Sequence, residues 1–177
     1  GYQARAVLDQ GWLDTDFPFH RHNVHIPFYN VGGWHDIYAE GSLYNYVYLQ
    51  NEGHEAARGK QKLFMGAFGH GALQGDLEYP GGGLISGDMD QQLRWWDYWL
   101  KDIDNGIMDE PPVSFYMMAS ARKGNASPLN RVIHTDTWPP QHQLTRFYLQ
   151  PDGSIDTAAP RADEAFRSYR FDPANPV

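Results

Sequence analysis

Two short apolar runs, each closed by glycine and a chemically active side chain, limit what this chain can fold into. The first is Ile26-Pro27-Phe28-Tyr29-Asn30-Val31-Gly32-Gly33-Trp34-His35-Asp36. Its β-branched and aromatic residues from Ile26 to Val31 predict a strand covered on both faces. Gly32 and Gly33 predict a sharp turn, where a side chain would clash. Asp36 then falls just past the strand's C-terminal end, the edge of an open parallel sheet at which ligands bind. The second run is Lys62-Leu63-Phe64-Met65-Gly66-Ala67-Phe68, which ends in Gly69-His70-Gly71. One helix-sized segment lies between the runs, as a strand–helix–strand unit requires.

If the two strands are neighbours, Asp36 and His70 emerge side by side. An Asp that accepts the Nδ1 proton of a His fixes its tautomer and stabilises the imidazolium, which is two-thirds of a hydrolase triad. The order Asp before His is that of the α/β-hydrolases. Taken singly, each residue has a structural reading. An Asp beside glycines bonds its own backbone, and a His after a strand is a polar cap. The pair, with a strand before each member, is what points to chemistry.

Composition narrows the partners. A net charge of −8 over 177 residues argues against nucleic acid or an anionic membrane, since either favours a basic face. Hydrophobic content of 41% and aromatic content of 15% fit a packed core rather than disorder. The absence of Cys excludes disulfides and thiolate metal sites and leaves the compartment unreadable. No apolar run approaches the roughly 20 residues that span a bilayer. The chain begins without Met and shows no signal-peptide pattern, which fits a piece of a longer polypeptide.

Along the chain, Ala4 to Leu8 reads as the tail of a helix ended by Gly11. Asp14, Asp16, His20, His22 and His25 offer metal-ligand types, but no zinc-like spacing on an ordered element. A polar loop is the expectation there, with no metal and no cofactor. Glu40 to Asn51 predicts an amphipathic helix through Leu43, Tyr46, Val47 and Leu49, closed by Gly53. The glycine-rich stretch from Gly71 to Gly87, with Gly81-Gly82-Gly83, lacks a phosphate-loop pattern and reads as a loop beside His70. Asp88 to Lys101 predicts the strongest helix, capped by Asp88 or Asp90, with Leu93, Trp96, Trp99 and Leu100 as a core-packing stripe and Trp95 nearby. Glu110-Pro111-Pro112 marks a boundary. Beyond it, Val113 to Met118, Arg146 to Leu149 and Ser168 to Phe171 predict short strands of an incomplete β-sandwich.

No Gly-x-Ser-x-Gly elbow is present, so a triad would lack its nucleophile. That serine would come from the upstream part of the same polypeptide or from a second chain.

The motifs resemble one family. Val31-Gly32-Gly33-Trp34-His35-Asp36 is similar to the strand-and-Asp motif of the cocaine esterase / X-prolyl dipeptidyl-peptidase (CocE/NonD, S15-like) serine hydrolases. Met65-Gly66-Ala67-Phe68-Gly69-His70-Gly71 resembles their Gly-Pro-Trp-x-His-Gly motif, with Ala67 and Phe68 in place of Pro and Trp. The run from Gln92 to Lys101 resembles their QLRWFDxWLKG helix, and Asn105-Gly106 through Val113 their link to the next domain. The resemblance implies an α/β fold: the C-terminal half of an α/β-hydrolase sheet followed by an incomplete jelly-roll sandwich. Residues 1–25 would be the exit from a helical cap, 26–110 the end of the hydrolase domain, and 111–177 the start of the jelly-roll. It implies Asp36 as triad acid and His70 as general base, acting on a small ester or amide. Trp34 and Phe68 flank that site as candidates for the acyl pocket. The α-amino acid ester hydrolase branch carries carboxylates two and three residues after the acid. Tyr38 and Ala39 stand there in this chain, which favours a neutral acyl group. A homodimer is left open. The competing class is a non-catalytic, carbohydrate-binding sandwich module, in which Asp36 and His70 would lie apart.

Overall fold

The computed structural model describes residues 10–71, 75–81, 89–160, 168 and 170–174. The chain divides into two compact units, Gly1–Pro140 and Gln141–Val177.

The described part of the first unit begins with two short helices, α1 (Gln10–Leu13) and α2 (Phe17–His20), and a 3₁₀ turn at Arg21–Asn23. This stretch therefore has more local order than the polar loop expected of it. Pro18 sits in the first turn of α2, where its missing N–H costs nothing. Gly11 lies inside α1 and not past its end. The helix tail expected at Ala4 to Leu8 lies outside the described residues.

Next come β1 (Tyr29–His35), the crossover helix α3 (Ala39–Asn51), β2 (Lys62–Gly69) and α4 (Met89–Lys101). They are followed by β3 (Val113–Met117), a small hairpin of β4 (Ala121–Arg122) and β5 (Asn125–Ala126), and β6 (Arg131–Thr135). Among the described residues the main sheet has four strands in the order β1-β2-β3-β6. β1, β2 and β3 run parallel, and β6 returns antiparallel to β3. The unit is thus mixed α/β on a mixed sheet. Val113–Met117, read from sequence as a sandwich strand, pairs with β2 as well as with β6.

β1 begins at Tyr29, three residues later than expected. Pro27 has no N–H to give, and the Phe28 N–H is taken by the Gln61 side chain at 2.9 Å. Gly32 and Gly33 are strand residues, not the expected turn. Their missing side chains serve close packing. A Cβ on Gly32 would lie 2.8 Å from Met65 Sδ, and one on Gly33 2.5 Å from the Phe68 ring. A Cβ on Gly66 would lie 2.4 Å from the same ring. The Phe68 side chain therefore occupies the space that two glycines on neighbouring strands leave open.

α3 covers one face of the sheet. Leu43, Tyr46 and Val47 pack with Leu63, Met65, Val113 and Phe115, and Leu49 is fully buried. The Tyr46 hydroxyl is buried with no hydrogen-bond partner among the described residues. Burial pushes its phenol up to about 12. On the opposite face Trp95 of α4 is buried, its ring 5.8 Å from that of Tyr29.

The expected stripe of α4 is only partly its buried face: Trp99 is half-buried against the buried Trp95. Leu93, Trp96 and Leu100 are exposed, Leu100 at 72%. Arg94 anchors the helix. Its guanidinium donates to Glu110 Oε1 at 2.6 Å and to the Asn105 carbonyl at 2.9 Å, and Asn105 Nδ2 donates back to the Arg94 carbonyl at 2.8 Å. These bonds tie that side of the helix to the turn after it, where Gly106 takes φ 74°. Asp88, one of the expected caps, lies outside the described residues, as do Gly82 and Gly83. Asp90 sits in the first turn of α4.

The second unit holds a hairpin of β7 (Tyr148–Leu149) and β8 (Ile155–Asp156), shorter than the strand expected from Arg146. Gly153, at φ 88°, makes its turn with Asp152, whose carboxylate accepts the Ser154 N–H at 2.9 Å. Ser168, Arg170 and Phe171, expected in a strand, are outside regular structure, and residue 169 is outside the described set.

Candidate active site

Parallel pairing brings two loop tips to one edge. His35 is the register partner of Gly69, so β1 and β2 end together. Asp36 and His70 are the next residues on each strand. Asp36 Oδ2 lies 3.4 Å from His70 Nδ1. This is a direct contact, longer than a tight charge-assisted hydrogen bond of about 2.8 Å.

A turn holds the carboxylate. The Asp36 N–H donates to the Gly33 carbonyl at 3.0 Å, and the Asp36 carbonyl accepts the Ala39 N–H at 3.1 Å. Asp36 Oδ1 accepts the Tyr38 N–H at 2.9 Å. One carboxylate oxygen thus serves the turn and the other faces the imidazole. The structural reading of Asp36, an Asp bonding its own backbone, and its contact with His70 hold at once. The acid is shielded, its side chain 16% exposed, whereas that of His70 is 68% exposed. An imidazole with Nδ1 turned to a carboxylate keeps Nε2 as the acceptor, the arrangement a general base needs. The Tyr38 ring stands edge-on to His70, with centroids 5.2 Å apart at 72°.

The segment after His70 is tied back to the sheet. Tyr79 Oη meets His35 Nε2 at 3.3 Å, and its ring packs edge-on against Tyr116. The Tyr116 hydroxyl donates to the Pro80 carbonyl at 2.6 Å. Burial, with Tyr79 beside it, holds the Tyr116 phenol above its ordinary range.

Trp34 and Phe68 go to different faces. Trp34 packs into the α3-side core against Phe115 and Trp138 and donates Nε1–H to the Tyr116 carbonyl at 2.8 Å. Phe68 is buried over Gly33 and Gly66. The two rings therefore do not form one wall.

Two of the histidines before β1 have local contacts. His20 Nε2 meets the Leu13 carbonyl at 2.9 Å, and His25 stacks on His54. Asp14 accepts from Gln10 at 2.8 Å. Among the described residues no three His, Asp or Glu side chains converge as a metal-ligand set.

Sequence reasoning missed a second pair. Ser114 Oγ and His134 Nδ1 are 2.8 Å apart. They are register partners on antiparallel β3 and β6, 20 residues apart in sequence. Only the register shows this, because neither residue sits in a recognisable motif. A cavity of about 240 Å³ lies beside them, lined also by Tyr29, Lys62 and Pro112. Tyr29 and Lys62 open β1 and β2, so this cavity is at the strand edge away from Asp36 and His70.

No family model matches the chain. It is similar to two curated mycobacterial proteins, from Mycobacterium bovis and Mycobacterium tuberculosis, each named "Putative serine esterase". The identity is 30% over 150 residues in both cases, covering 78% of this chain and 22% of each relative. The chain thus spans about a fifth of the length of the curated relatives it matches.

Proposed function

We propose that this chain supplies the acid and the base of a Ser-His-Asp hydrolase acting on an acyl ester or amide. Asp36 holds the Nδ1 proton of His70 and stabilises the imidazolium. His70 Nε2 takes the proton of a seryl hydroxyl and returns it to the leaving group. The serine comes from an upstream part of the same polypeptide or from a second chain. The observation that carries this reading is the 3.4 Å contact between Asp36 and His70 at the ends of adjacent parallel strands. The names of the two relatives support it. The CocE/NonD resemblance refines it, with residues 26–110 as the end of a hydrolase domain and 111–177 as the start of a jelly-roll. Tyr38 and Ala39 stand where the α-amino ester branch needs carboxylates, so a neutral acyl group is favoured over an α-amino ester, with X-prolyl dipeptidyl-peptidase activity as the alternative within the family.

The non-catalytic sandwich module is the weaker reading, because it predicts no contact between Asp36 and His70. One experiment separates the two. The 177-residue chain alone is expected to turn over no p-nitrophenyl ester. Joined to the polypeptide that carries the serine, it is expected to do so, with the rate falling by about 10³–10⁴ in Asp36→Asn. Turnover by the chain alone that disappears in Asp36→Asn overturns the shared-triad assignment. An assembled enzyme indifferent to Asp36→Asn overturns the hydrolase assignment.

A further inference from the structure

We propose that Tyr38 is a positioning residue that sets the orientation of the His70 ring. The inference rests on the reading of Asp36 and His70 as acid and base. Tyr38 touches both members of the pair. Its backbone N–H donates to Asp36 Oδ1 at 2.9 Å, which directs Oδ2 toward the imidazole. Its ring stands edge-on to the imidazole, 5.2 Å between centroids and 72° between planes, a preferred aromatic arrangement.

Two further observations leave the ring without a role in capping or in the core. Tyr38 occupies the N-cap of α3 and makes no side-chain cap bond. That position favours Ser, Thr, Asp or Asn, whose oxygens satisfy a free helix N–H. A tyrosine forgoes that gain. The ring is also 62% exposed and is not among the side chains of the α3-side core cluster. Neither capping nor core packing accounts for it.

His70 has need of such a contact. Its side chain is 68% exposed and meets Asp36 through one atom pair at 3.4 Å. An imidazole held at one point retains rotation about its side-chain bonds and pays entropy each time it adopts the working geometry. A ring against its flank restricts that rotation, keeps Nδ1 toward Asp36 and leaves Nε2 outward.

The test is the tautomer of His70, read from its two ring-nitrogen shifts in the 177-residue chain at about pH 8.5, above the ordinary imidazole range. The unmodified chain is expected to show His70 with its proton on Nδ1. Tyr38→Ala and Tyr38→Leu are expected to lose that preference, while Tyr38→Phe, which keeps the ring, retains it. All three keep the backbone N–H to Asp36, so any change reports the ring. The leucine variant keeps bulk, and an unchanged amide spectrum elsewhere marks an intact fold. If Tyr38→Ala and Tyr38→Leu hold the Nδ1 proton while Asp36→Asn loses it, the positioning role is overturned and the Asp36–His70 pair stands. If Asp36→Asn also leaves the tautomer unchanged, the pair itself is overturned.

Discussion

One sheet builds two histidine–oxygen contacts in two different ways. Asp36 and His70 meet beyond the ends of parallel strands, each on its own loop. Ser114 and His134 meet within an antiparallel ladder, directly across from one another. Parallel strands point the same way, so their C-terminal loops gather at one edge with backbone free to adapt. An antiparallel register pair is fixed by the ladder itself, and its side chains meet as any cross-strand neighbours do. The shorter contact, 2.8 Å against 3.4 Å, is therefore not the better candidate for chemistry. The loop pair has an oriented acid and an exposed ring nitrogen, whereas the ladder pair is explained by register alone.

The largest expected effect tests that contrast directly. In the assembled hydrolase, His70→Ala is expected to cost about 10³–10⁴ in kcat/KM, with Ser114→Ala within about twofold of the unmodified rate. The reverse pattern would exchange the roles of the two pairs. The next effect probes the packing that brings the parallel tips together. Gly66→Val drives a side chain into the Phe68 ring, and a loss of about 3 kcal/mol or more is expected in denaturant unfolding. A loss under about 1 kcal/mol would mean that Phe68 does not sit over the glycines.

A third measurement concerns the α3-side core. The Tyr46 phenol, at 10.0 when unfolded and about 12 when folded, keeps its proton longer in the native state. Its share of stability is complete below pH 10 and is lost as pH rises toward 12. Between those limits the unmodified chain is expected to lose about 2–3 kcal/mol more than Tyr46→Phe. Equal losses would show that the hydroxyl is solvated. At neutral pH Tyr46→Phe is expected to be neutral or stabilising, since the buried hydroxyl has no partner among the described residues. The smallest effect belongs to the ladder pair. A Ser114→Ala/His134→Ala double-mutant cycle is expected to give a coupling of at most about 1 kcal/mol. A coupling well above that would mark Ser114 and His134 as more than cross-strand neighbours.

How far the site could be read from sequence varies by residue. Asp36 and His70 were legible because glycine and a β-rich run precede each, and one helix's worth of chain separates them. Trp34 and Phe68 were placed near the site along the chain, but not by face, because one-residue alternation sends their rings apart. Tyr38 was visible only as an absent carboxylate. Its contact with His70 depends on the loop tip that follows β1. The α4 stripe was legible only in part, because hydrophobic spacing marks an apolar face without saying which side turns inward: Trp99 is half-buried beside Trp95, while Leu93, Trp96 and Leu100 are exposed.

Local pattern alone determined that strands precede Asp36 and His70, that a helix joins them, and that no serine elbow follows the expected form. These are properties of neighbouring residues, and backbone sterics and side-chain period write them directly into the chain. Tertiary structure decided that Gly32 and Gly33 stay in the strand to admit Met65 and Phe68. It also decided that Val113–Met117 pairs with β2, that Ser114 finds His134, and that Tyr38 leans on His70. Each of these depends on atoms brought together from distant positions or by a particular turn, which composition and spacing do not encode.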